Sequence, residues 1–102
     1  MTLRINAGAV PLLTGVVELA AGNRPGGLAS NLEHFEAGVD AADGIDQNLL
    51  WLLYDPQTSG GLLIAAAPEH AAGVDRALAR AGIAAVDIGT VAPRSPHLIE
   101  IV

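Results

Sequence analysis

The feature that most limits how this chain can fold is a punctuation pattern that occurs twice. A short apolar stretch is followed by a proline, a run with helical spacing, and a glycine. In the first copy, Leu3-Arg4-Ile5-Asn6 alternates apolar and polar residues as a short strand does. Gly8 then allows a turn, and Pro11 suits the first position of a helix, where its missing N–H costs nothing. Leu12, Val16, Leu19 and Ala20 follow at helical spacing, and Gly22 is a stop signal. In the second copy, Leu62 to Ala67 is continuously apolar, as a central strand covered on both faces would be. Pro68 and Glu69 open a helix with Ala71, Val74, Leu78 and Ala81 on one face, Arg76 and Arg80 on another, and Gly82 at its end.

Between the copies, Asn23 to Gly27 has the composition of a turn, and Leu28 to Ala37 can hold a short helix. Val39 to Gly44 is small, acidic and expected to be exposed. Asp46 is placed to cap a helix, with Ile45 and Leu50 as a hydrophobic staple around the apolar run Leu49 to Leu53. After Gly82, Ile83 to Val91 reads as a strand, Pro93-Arg94-Ser95-Pro96 as a turn, and His97 to Val102 as a final strand. Strand–helix–strand units favour parallel crossovers, and the short last turn favours an antiparallel hairpin. The expected architecture is an α/β (α+β) sandwich, a mixed β-sheet packed with helices.

A chain of 102 residues is one domain or part of one, and buries about two-thirds of its unfolded surface. Apolar residues make up 51% of it but aromatics only 3%, so the core must come from Ala, Val, Ile and Leu. Each large aliphatic side chain contributes about 1.5–3 kcal/mol when buried, and alanine less. The expected core is modest and in need of a neighbour. The formal charge is −6, with five arginines and no lysine, which argues against nucleic acid and against a basic membrane-surface helix. No apolar run reaches the ~18 residues of a membrane span. There is no cysteine, hence no disulfide, zinc-thiolate site or thiol nucleophile. Met1 to Ile5 lacks signal-peptide character, so a cytoplasmic location is expected.

Asp55-Pro56-Gln57-Thr58-Ser59-Gly60-Gly61 is the strongest loop signal. Its glycines permit close approach of backbone to a ligand or positive φ, and N–H groups beside Thr58 and Ser59 suit an anion. The competing reading is a turn set by Asp55 and Pro56, with glycines easing entry into a buried strand. No closing lysine follows, so this is not a Walker P-loop. Gly26 and Gly27 with Asn31 form a second candidate, against the alternative of a plain turn between helices. Asp40, Asp43 and Asp46 do not match a calcium loop and read as a solvated acidic stretch. His34, His70 and His97 are scattered, and Ser59 is not on a nucleophile elbow. Trp51 and Phe35 read as core residues.

The run Leu53-Tyr54-Asp55-Pro56-Gln57-Thr58-Ser59-Gly60-Gly61-Leu62-Leu63-Ile64 resembles a signature near the C-terminus of the selenophosphate synthetases (selenide, water dikinases). Val10-Pro11-Leu12-Leu13, Gly15 and Glu18-Leu19-Ala20 resemble the helix before it, and Pro25-Gly26-Gly27 plus Asn31 the family's Pro-Gly-Gly element. Ala81-Gly82 and Ile88-Gly89-Thr90-Val91 resemble its closing helix and strand. The resemblance implies the aminoimidazole ribonucleotide synthetase superfamily, with an N-terminal nucleotide-binding domain that dimerises and a C-terminal α/β domain closing the cleft. It also implies the reaction of ATP, selenide and water to selenophosphate, AMP and phosphate, with Mg2+, for selenocysteine and selenouridine synthesis.

The family's cysteine or selenocysteine, its catalytic lysine and its metal-binding aspartates belong to segments that have no counterpart here. Residues 1–102 are therefore expected to form a single, incomplete C-terminal domain with no catalytic or metal-binding residue and no cofactor of its own, inactive alone. ATP and Mg2+ are implied only for the full-length enzyme. The expected partner is an N-terminal nucleotide-binding domain, in the same or a separate chain, or a second copy in a homodimer. The alternative is a non-enzymatic α/β module that self-associates or binds an anion.

Overall fold

The structure is a computed structural model and describes residues 1–57 and 59–102. In chain order it contains β1 (Thr2–Ile5), a 3-10 turn (Ala7–Ala9), α1 (Val16–Ala20), α2 (Gly26–Phe35) and a second 3-10 turn (Glu36–Gly38). These are followed by β2 (Val39–Ala41), α3 (Gln47–Tyr54), α4 (Pro68–Arg80), β3 (Gly89–Ala92) and β4 (Ile99–Ile101). The four strands form one mixed sheet in the order β2-β4-β1-β3. β4 runs parallel to both β1 and β2, and β3 runs antiparallel to β1. The mixed sheet with helices is the expected class.

The register gives the sheet two unlike faces. Leu3 lies opposite Ile99 and Val91, Ile5 opposite Ile101, and Val39 and Ala41 opposite Ile99 and Ile101. Because side chains alternate along a strand, these residues share one apolar face. Arg4, Glu100 and Asp40 share the other, where the Arg4 guanidinium meets Glu100 Oε2 at 2.9 and 3.0 Å. That arginine offsets the repulsion between Asp40 and Glu100, which sit directly across from one another.

Several sequence expectations need correction. β3 and β4 do not form a hairpin: β1 lies between them. Pro93 and Pro96 cannot donate the N–H groups a tight ladder needs. The segment between them is instead tied to Thr2, which is fully buried. Thr2 Oγ1 accepts the Ser95 N–H (2.9 Å) and donates to the His97 carbonyl (2.8 Å). This anchor carries the chain across the start of β1, so β4 joins its far side.

Pro11 does not open a helix. Gly15, at φ +81°, breaks the stretch, and α1 begins only at Val16. Val39 to Ala41, expected as part of an exposed loop, is strand β2: Asp40 faces solvent while Val39 and Ala41 extend the apolar face. Leu62 to Ala67 is not a strand, and Leu62 is 92% exposed. Of Ile83 to Val91, only the part from Gly89 joins the sheet. A side chain at Gly89 would overlap the Arg4 carbonyl, so this glycine is what lets β3 lie against β1.

α3 and α4 follow their local signals. Asp46 accepts the Asn48 and Leu49 N–H groups at 2.8 and 3.1 Å. α4 starts at Pro68 and ends in a Schellman closure, with Gly82 at φ +72°, Gly82 N–H donating to the Ala79 carbonyl and Ile83 N–H to that of Leu78. The core is modest, as composition requires: Ala7, Ala20, Leu28 and Ile101 are its buried apolar residues among those described. No helix among the described residues is long and apolar enough to cross a membrane.

Candidate functional site

The two glycine-bearing segments, distant in sequence, meet where α2 starts and α3 ends. Pro56 disfavours helical backbone at the residue before it, so Asp55 turns extended (φ −63°, ψ 130°) and α3 stops at Tyr54. That stop leaves the Tyr54 carbonyl without a helical partner. Asn31, one face along α2, donates its Nδ2 to it at 2.9 Å. The chain then folds tightly, with Gln57 N–H donating to the Asp55 carbonyl at 2.8 Å.

This turn brings the Pro56 ring onto the first turn of α2. A Cβ at Gly27 would lie 2.8 Å from Pro56 Cγ, closer than carbon atoms pack. Gly27 is therefore a contact glycine, and the Pro-Gly-Gly and Asp-Pro-Gln elements form one junction. Gly26 faces open space. Beyond Pro56, Ser59, Gly60 and Gly61 are exposed, and Thr58 lies outside the described residues. Gly60 and Gly61 do not adopt positive φ, and a Cβ at Gly60 would meet nothing nearer than Gln57 Oε1 at 3.7 Å. The tight entry into a buried strand expected of them has no strand to enter.

Two grooves flank the junction, and Asp55 borders both. One, about 390 Å3, lies among α1, α2 and α3 and includes Leu19, Leu28 and Trp51. The other, about 430 Å3, lies between the helices and the apolar face of the sheet and includes Ile5, Leu53, Tyr54 and Ile99. Arg24 stacks its guanidinium over the Trp51 ring, 3.2 Å from the centroid. Trp51, expected in the core, is thus half-buried and carries a cation on its face, a pairing no local signal in the sequence announces. Phe35, also expected in the core, is exposed and meets His34 edge-on at 4.6 Å. Burial, and then the nearby Glu36 carboxylate, push the Tyr54 phenol above its ordinary pKa, so it stays a protonated donor.

The remaining candidates do not converge. Asp46 is occupied as a helix cap and Asp40 lies on the open face of β2. Among the described residues no group of three His, Asp or Glu side chains is placed to hold a metal ion. These residues therefore offer no fitting donor set for the Mg2+ that the resemblance implies for the full-length enzyme. No hydrogen bond among the described residues joins Ser59 to a histidine.

No family model matches the chain. Curated relatives do match along most of it. It is 43% identical over 96 residues to a selenide, water dikinase of Trichlorobacter lovleyi, covering 93% of this chain and 28% of the relative. To the selenide, water dikinase of Geobacter metallireducens it is 39% identical over 102 residues, 99% of this chain and 29% of the relative. The protein of that name from Pseudomonas putida is 37% identical over 103 residues, spanning 100% of this chain and 29% of the relative. The chain thus spans less than a third of the length of the relatives it matches.

Proposed function

Because this chain belongs to the selenide, water dikinase family, matching its C-terminal part, we propose that it serves a cytoplasmic enzyme converting ATP, selenide and water into selenophosphate, AMP and phosphate. In this reading the nucleotide, Mg2+ and the catalytic cysteine and lysine are supplied by an N-terminal domain, in the same or a separate chain. Residues 1–102 form a wall of the closed cleft. Phosphoryl transfer depends on positioning groups around the phosphates, and a wall that is held rigidly is what such a domain contributes.

The observation that carries the proposal is the junction of Gly27 with Pro56, reinforced by Asn31 on the Tyr54 carbonyl. The two segments that most resemble the family are the two that the fold locks together. The exposed Ser59, Gly60 and Gly61 that follow are free to face a bound anion across the cleft. The test is light scattering and AMP formation with the chain alone, and with a separately produced N-terminal domain of a relative, ATP, Mg2+ and selenide. A stoichiometric complex with activity only in the mixture is expected. Magnesium-dependent AMP formation by the chain alone, or no association with that domain, overturns the proposal.

A further inference from the structure

We draw no further inference here: the strongest candidate, the apolar groove of about 390 Å3 among α1, α2 and α3 beside the Arg24–Trp51 stack, lies open in a chain that spans less than a third of its relatives, and nothing in the structure shows what covers it.

Discussion

Replacing Gly27 with alanine separates a contact glycine from a merely permissive one. The new methyl would sit 2.8 Å from Pro56 Cγ, 3.6 Å from its Cβ and 3.9 Å from its Cδ. Carbon atoms pack best at about 3.5–4.0 Å, so the nearest contact is short by the better part of an ångström. The obstacle is a proline ring fixed by the Asp55–Gln57 turn, so it cannot rotate aside as a long side chain would. Relief requires the turn and α2 to part, which also loosens the Asn31 bond to the Tyr54 carbonyl. Overpacking of this kind costs about 1–3 kcal/mol. Against it stands a helix-propensity gain of at most about 1 kcal/mol for alanine over glycine. The net expectation is a loss of about 1–2 kcal/mol, or roughly 4–10 °C in melting temperature for a chain of this size. Gly26→Ala is the control: nothing lies within 4 Å of its Cβ, so it is expected to be neutral or slightly stabilising. Thermal unfolding followed by circular dichroism, with Trp51 fluorescence as a local probe, measures both, and Pro56→Ala is expected to rescue Gly27→Ala. If Gly27→Ala is as stable as Gly26→Ala, or Pro56→Ala gives no rescue, the junction is not as described.

Asn31→Ala leaves the half-buried Tyr54 carbonyl without its donor and is expected to cost about 1–2 kcal/mol, read from urea midpoints; an unchanged midpoint refutes the role given to that bond. Asp46→Ala removes the acceptor for two N–H groups at the start of α3 and is expected to cost about 1 kcal/mol, whereas Asp46→Asn, which keeps an acceptor oxygen, is expected to retain most of the stability. The Glu100 carboxyl is held below its ordinary value of 4.5, first by a hydrogen bond from the Ser95 hydroxyl and then by one from Arg4. A depressed carboxyl binds its proton more readily in the unfolded chain, so this stabilisation is whole above the ordinary value and is lost as pH falls below it. Urea midpoints across that acid range are expected to drop less for Glu100→Gln than for the parent chain, and parallel curves would exclude Glu100 as the source.

The sequence by itself determined what nearest neighbours along the chain can settle. Pro68, Glu69 and Gly82 mark α4 because a missing N–H, a helix dipole and a left-handed closure act within a turn of the residue concerned. Asp46 announces α3 for the same reason, and Asp55 before Pro56 announces its end. The order of motifs was enough to indicate the family, and the near absence of aromatics foretold a modest core. Tertiary structure alone decided the rest. Val39 to Ala41 is too short and too acidic to declare itself a strand, and becomes one because β4 offers it a matching apolar face. The last two strands part company because Thr2, from the other end of the chain, captures Ser95 and His97. Leu62 to Ala67 has a buried strand's composition, yet a strand needs neighbours that composition cannot supply, and within these residues none arrive. The meeting of Gly27 with Pro56 and of Arg24 with Trp51 depends on how α2 crosses α3, a packing relation between residues far apart in sequence.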